Sequence, residues 1–399
     1  MRRSSATGPL LQPALGQFDQ SPAAECYAKV DGPTGCRGTM ADTVSEQIAA
    51  LSDEDWAIRE EAATLLGGLK DARAVLPLTK ALRDPDRAVR EAAVGALSAL
   101  GAVSVPALSG CLTDPALQVQ EAASAILASL ADARVLMPLM QALGSRDWIV
   151  RMHAAKGLGR IGDAQAIPAL MPLLQDKVKA VREEASSALA SIGAAAVAGL
   201  VEALQHEDWL VRLHAVEALG KLKSPDAVDP LLRALFNERD SAIREDVVKA
   251  LGTIRDVRAV DYLVVAMKEP GLRLLAVEAL GHIGDRRVVP LLRRVVEGVP
   301  LGEPRDSATP CADGWTDEMA TMGMAARALG MIADAVAIPS LIIALRNTIT
   351  RSEAAAALTK FGPTVIPSLL PILAKEQDEN VRYHVRETLT AVGWRAGRV

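Results

Sequence analysis

The chain has 399 residues, 50% of them hydrophobic and 23% charged, with a formal net charge of −5. So apolar a chain can bury enough surface to offset the entropy of ordering it, which excludes disorder for the bulk, and its acidic balance argues against a phosphate-reading, nucleic-acid-binding surface. Only 3% of the residues are aromatic (Trp 5, Tyr 3, Phe 3); one large compact core would draw on aromatics for buried area, whereas a chain rich in Ala, Leu and Val suits many thin, closely packed helix layers.

Residues 1–40 lack any periodicity and are rich in Pro, Gly, Ser and Gln. They read as a disordered tail, and Met40, where the helical pattern begins, reads as the start of the native protein. No apolar segment of signal-peptide length follows Met1-Arg2-Arg3. Cys26, Cys36, Cys111 and Cys311 are scattered, with no C-x-x-C pair and no zinc spacing. The expectation is a reduced, cytoplasmic protein without a structural metal. No membrane span is expected either, since the uncharged run Ala185–Val201 is interrupted by Ser and Gly.

From residue 41 onward the chain repeats. Seven residues after Arg59 stands Leu66, and the same register gives Leu97, Leu127, Leu158, Leu189, Leu219, Leu251, Leu280, Leu329, Leu358 and Leu389, spaced by 29 to 32 residues except for 49 between Leu280 and Leu329. Four residues before each is Ala, or Val at Val247 and Val385. Each unit reads as two helices. The first carries Val211, Ala215, Leu219 and Leu222 on one face at helical spacing, with the small Ala admitting a close neighbour. The second follows an Asp-containing turn such as Gly162-Asp163 and carries a Pro near its start (Pro77, Pro106, Pro138, Pro168, Pro230, Pro290, Pro339, Pro367), a position where the missing N–H has no partner to lose. Neither helix pair can bury its stripe alone, so stacked pairs must share one continuous core. The fold class is therefore all-α, an α-solenoid of about eleven two-helix repeats. Units 1–8 span 41–297, an insertion rich in Pro and Gly occupies 298–318, and units 9–11 span 319–399.

The run Asp147-Trp148-Ile149-Val150-Arg151 through Leu158-Gly159-Arg160-Ile161-Gly162-Asp163 resembles the HEAT-like repeats named after phycobilisome (bilin) lyases. The resemblance covers residues 41–399 and implies a solenoid; it is poor for function, because such repeats serve lyases, hydroxylases and plain scaffolds alike. Deoxyhypusine hydroxylases, built of similar repeats, place iron-binding His-Glu pairs directly after the anchor Arg. Here those slots hold Glu60-Glu61, Glu91-Ala92, Met152-His153, Glu183-Glu184, Leu213-His214 and Glu245-Asp246, and the single His-Glu, His206-Glu207, lies in a turn.

Four features carry the remaining functional signal. Gly157-x-Gly159-x-x-Gly162 matches the dinucleotide fingerprint formally, but it closes a helix instead of opening one after a strand. Asp147-Trp148 to Met152-His153 and Asp208-Trp209 to Leu213-His214 are near-identical, and Trp is enriched at binding hot spots. Trp148, His153, Trp209 and His214 are therefore candidate partner contacts, against the plainer reading that each Trp caps the previous helix pair and each His is half-exposed. Arg286, Arg293 and Arg294 form a basic cluster before the insertion, on second helices expected to line the concave surface. The acid–arginine pairs Asp84 or Asp86 with Arg90, Asp147 with Arg151, Asp208 with Arg212 and Asp240 with Arg244 suggest a structural ladder that also includes Arg59 and Arg182, with each pair closing within one helix at i,i+4. No catalytic residue, cofactor or metal is expected. The function read from the sequence is a monomeric scaffold that binds a protein partner on its concave face, with a bilin-lyase-type subunit or tetrapyrrole chaperone as the alternative and a hydroxylase behind it.

Overall fold

The computed structural model describes residues 40–130, 132–299 and 317–395; the tail expected before Met40 and nearly all of the expected insertion lie outside the described residues. A helix, Met40–Ala50, opens the stack. Then long helices alternate with short ones. The long helices are Trp56–Leu69, Arg87–Leu100, Leu117–Leu130, Trp148–Ile161, Lys179–Ile192, Trp209–Leu222, Ser241–Ile254, Pro270–Ile283, Asp317–Ile332, Arg351–Thr359 and Glu379–Ala391. Each carries one leucine of the repeat register. Between them, a 3₁₀ turn such as Ala164–Ala166 leads into a short helix such as Val75–Ala81 or Val197–Ala203. Among the described residues there is no strand.

Local chemistry sets the boundaries. Asp55, Asp86, Asp147, Asp208, Asp240 and Asp378 sit at N-caps and accept hydrogen bonds from the first free N–H groups of the long helices. Several long helices end in a left-handed residue, at Lys70, Gly162, Lys223, Arg255 and Gly284. The repeat leucines and alanines are fully buried, Leu158 and Ala154 both at 0% exposure, and each buried Leu contributes roughly 1.5–3 kcal/mol.

At several seams consecutive long helices meet at backbone distance. A Cβ placed on Gly67, Gly159, Gly252 or Gly330 would lie 2.7 or 2.8 Å from the Cα of Ala96, Ala188, Ala279 or Ala357. Consecutive short helices touch only sparsely. Where these glycines stand, the long helices form the tighter layer of the stack. The glycines that follow the repeat leucines permit that approach; Arg293 and Arg294 lie on the short helix Val289–Val296 and Arg286 in the 3₁₀ turn before it. The formal dinucleotide fingerprint is likewise accounted for by packing. Gly157 lies against Ala128 and Leu139, Gly159 against Ala188, and Gly162 takes φ +71° to end its helix.

The segment Arg87–Cys111 is long and apolar enough, by length and composition, to cross a membrane. It exceeds the run at 185–201 that the sequence reading weighed. In the fold it is the long helix Arg87–Leu100, a 3₁₀ turn at Gly101–Ser104 and the short helix Val105–Cys111, with Leu97, Leu100, Val105 and Leu108 buried in the solenoid core.

Candidate protein-binding surface

The solvent face of the long-helix layer is built from residues four apart. In helix Trp148–Ile161 these are Trp148, Met152, Lys156 and Arg160; in Lys179–Ile192 they are Lys179, Glu183, Ser187 and Ser191; in Trp209–Leu222 they are Trp209, Leu213, Glu217 and Lys221. The N-cap aspartates place Trp148 and Trp209 as the first helical residue, standing clear of the core at 41% and 49% exposure. Trp56 occupies the same slot at 50%. Sequence reasoning used Trp56 only to set the register, although that register already aligned it with the other two. Between helices Arg87–Leu100 and Leu117–Leu130 this face forms a groove lined by Arg87, Glu91, Glu121 and Ala125.

The two histidines part company. His153 is half-buried, its Nδ1 3.1 Å from the Ser124 hydroxyl, and burial pushes its pKa below the ordinary imidazole value. His214 is only 4% exposed, so the expectation of a half-exposed partner contact fails for it. The Arg182 guanidinium donates to His214 Nε2 at 3.0 Å, which leaves Nδ1 to carry the proton and donate to Glu217 at 3.0 Å. The Ser186 hydroxyl donates to the His214 carbonyl.

The hydrogen bond from His214, helped by Lys221 against the opposing cost of burial, holds the Glu217 carboxyl down at about 2 from an ordinary 4.5. A depressed carboxylate contributes stability above its unfolded pKa and loses it as pH falls toward the folded value. The variant Glu217→Gln is therefore expected to melt lower than the parent at pH 7, with the gap closing between pH 4.5 and pH 2. Thermal melts across that range check this, and a gap that does not change with pH would contradict it.

The basic cluster is only partly assembled. Arg286 is exposed and 3.7 Å from Asp334. Arg293 donates to the Ser340 hydroxyl at 2.7 Å, and Ser340 in turn donates to Glu297, which stitches one short helix to the next. Arg294 projects to solvent.

The arginine ladder exists, with different partners from those expected. Asp147 is occupied as an N-cap, accepting from the Ile149 and Val150 N–H groups. Arg151 instead pairs in two-pronged fashion with Asp176 in the turn of the following unit, at 2.7 and 2.9 Å. Arg59 does the same with Asp84, and Arg212 with Glu238; Arg244 reaches Glu269. Asp208 caps its own helix as Asp147 does. Arg90 reaches the carbonyls of Asp84 and Pro85, not their carboxylates, and Arg182 takes His214. A second motif escaped the sequence reading: Asp-x-Arg clamps at Asp71–Arg73, Asp132–Arg134, Asp256–Arg258 and Asp285–Arg287 pin the 3₁₀ turns. Its signal, an Arg two residues after the turn Asp, was present in the sequence. Among the described residues no group of three or more His, Cys, Asp or Glu converges to hold a metal ion.

Residues 44–128, 105–190 and 197–271 match the family model for HEAT repeats, together more than half of the chain. The chain belongs to the HEAT-repeat family. Within this HEAT-repeat protein, residues 181–206, 272–298 and 323–347 also match the PBS lyase HEAT-like repeat. Bilin biosynthesis protein PecE of Mastigocladus laminosus is 44% identical over 77 residues, covering 18% of this chain and 29% of PecE; the chain thus aligns with under a third of that relative's length. Among solved structures, the karyopherin Kap121p bound to the extreme C-terminus of the protein phosphatase Cdc14p superposes with a TM-score of 0.61 at 13% identity, over 92% of this chain and 47% of that one. Yeast importin-β (Kap95p) gives 0.57 at 13%, over 89% and 58%. At that identity the likeness is one of fold.

Proposed function

We propose that this HEAT-repeat protein is a non-catalytic scaffold that binds a protein partner on its long-helix face. The observation that carries the reading is the register-equivalent exposure of Trp56, Trp148 and Trp209 at the start of three long helices. Large amphipathic rings held in solvent by a rigid scaffold are costly to leave uncovered and are enriched where binding energy concentrates. A preformed surface also limits the ordering entropy lost on association. Affinity capture from the native host, using the parent chain and a Trp148→Ala/Trp209→Ala variant side by side, tests it. A partner retained by the parent and lost by the variant is the expected result; recovery of none by the parent would overturn the scaffold reading.

The similarity to PecE favours a second reading, a subunit that handles a bilin during its attachment. A spectral titration with a linear tetrapyrrole is its test: a shifted, saturable absorption band supports it, and an unchanged spectrum removes it.

A further inference from the structure

Where Arg59, Arg151 and Arg212 anchor a seam, each grips the acid in the turn of the next unit, Asp84, Asp176 or Glu238. That acid also accepts the N–H two residues on, from Asp86, Val178 or Asp240. At one seam an imidazole fills this slot. His206 stands two residues before Asp208 and accepts its N–H at Nδ1, 3.0 Å away. The anchor of that seam, Arg182, enters no ion pair among the described residues and donates instead to His214 Nε2. Two of the chain's five histidines thus stand at one seam, between helices Lys179–Ile192 and Trp209–Leu222. Both accept from groups that can only donate, since neither a backbone N–H nor a guanidinium has a lone pair to offer. A second ring proton would point His206 Nδ1 at the Asp208 N–H and His214 Nε2 at Arg182, donor against donor. His153 differs: it meets the Ser124 hydroxyl, which can donate or accept.

We propose that this seam is a pH-sensitive joint of the solenoid: proton uptake by His206 and His214 releases Arg182 and the Asp208 N–H, and the units on either side turn relative to one another. The surrounding charges decide the direction. Glu217 holds the His214 Nδ1–H in either state and favours a charged ring, but Lys221 shares that carboxylate at 3.1 Å. From the preceding helix Arg182 sets a positive charge against Nε2, and Ser186 reaches only the His214 carbonyl. On the following helix Asp246 and Lys249 pair with each other at 2.7 Å. Beside His206, the Asp208 carboxylate accepts from the Leu210 N–H, while Arg212 takes the His206 and Glu207 carbonyls and pairs with Glu238. Released from the ring, Arg182 keeps only the Asp176 carbonyl on its own side of the seam. Imidazole ordinarily changes charge between about pH 5 and 8. The carboxylate-closed seams hold there: Arg59 keeps Asp84 below its ordinary value against burial, and at Asp176 and Glu238 burial is outweighed by Arg151 and Arg212. Each unit touches only its neighbours, so an opening at this one seam turns everything before it against everything after it, and the separation of Trp148 from Trp209 changes with it.

Hydrogen exchange of the whole protein at about pH 7.5 and about pH 5.5, corrected for the intrinsic exchange rate, tests the joint without any partner. Protection of helix Trp209–Leu222 is expected to fall by about tenfold or more beyond the fall in helices Trp56–Leu69 and Arg87–Leu100, whose seam Arg59 and Asp84 close. His206→Asp restores a carboxylate to the slot, and His214→Gln replaces the second ring by a group that does not titrate. Together they are expected to remove the extra fall, and His206→Asp alone to cut it to about threefold or less. Nitrogen NMR of the unaltered protein gives a reading that needs no variant. At about pH 7.5 the proton is expected on Nδ1 of His214 and on Nε2 of His206, and the Arg182 Nε–H signal should move as His214 gains its second proton. An equal fall at both seams, an extra fall that persists in His206→Asp/His214→Gln, or a His214 ring that charges while the Arg182 signal stays in place would each overturn the joint.

Discussion

Replacing Arg151 by Ala is expected to cost about 2–4 kcal/mol of stability, whereas Arg134→Ala is expected to change it by less than about 0.5 kcal/mol. Both arginines make short ion pairs, so the contrast tests which kind of pair holds the solenoid together. The Arg151 and Asp176 side chains are 15% and 11% exposed. One prong pair grips the carboxylate, and Nη1 donates to the Ser145 and Arg146 carbonyls at 2.9 and 3.1 Å. A single guanidinium thus satisfies the turn before its own helix and the acid of the next unit. Without it, Asp176 keeps only the Val178 N–H, and a largely desolvated carboxylate and two carbonyls lose their donor. Arg134 instead pairs with Asp132 within one turn and is 64% exposed, where water and salt replace most of the attraction. Because each repeat touches only its neighbours, the Arg151 loss falls on the Asp147–Asp176 junction and should loosen it locally. Urea melts of both variants check the ranking, and hydrogen exchange on helices Trp148–Ile161 and Lys179–Ile192 checks the location. Equal losses for the two variants would mean that the ladder is a solvated decoration.

The same arginine shows how far local reasoning reaches. The leucine register, the alanine four residues before it and the capping role open to Asp147 are all properties of one helix, and one helix of sequence exposes them. Asp147 and Arg151 were read as partners because they sit at i,i+4, but the Asp147 carboxylate is already held by two backbone N–H groups at the helix start. The true partner, 25 residues away, comes near only when successive units stack. His153 and His214 make the point more sharply, since the residues around them are almost the same. Their difference lies one repeat upstream. The anchor before His214 is Arg182, whose guanidinium covers the ring; the anchor before His153 is Gln120, a shorter side chain turned to the Asp114 carbonyl. Burial of a residue in a solenoid is set by its counterpart in the neighbouring unit, which no window of a single helix contains. The exposed tryptophans were legible for the opposite reason: the first residue of a long helix is exposed in every unit except the one that begins at Arg351, whatever its neighbours are.

Gly159→Val is expected to destabilise the protein by about 1–3 kcal/mol or more, while Gly95→Ala is expected to stabilise it by about 0.5–1 kcal/mol. Both glycines lie inside long helices, so helix propensity alone favours each change. The difference is the neighbour. A Cβ on Gly95 meets nothing within 4 Å, whereas one on Gly159 would stand 2.7 Å from Ala188 Cα and 2.9 Å from its Cβ. Those atoms belong to the backbone and first carbon of a packed helix, so no flexible side chain can swing aside. Helices Trp148–Ile161 and Lys179–Ile192 must separate, and Arg151 must then stretch to keep Asp176. Each unit is rigid and the next is stacked on it, so a displacement at one seam re-aims everything beyond it. Small-angle scattering of Gly159→Val is expected to show a changed radius of gyration under conditions where the variant is still folded. A folded variant with the parent's profile would show that the long-helix seam does not set the curvature. The seam also fixes the separation of Trp148 from Trp209. Affinity capture with Gly159→Val is therefore expected to retain less partner than the parent chain does, even though Trp148 and Trp209 are unchanged, which would tie the glycines of the repeat to the binding surface.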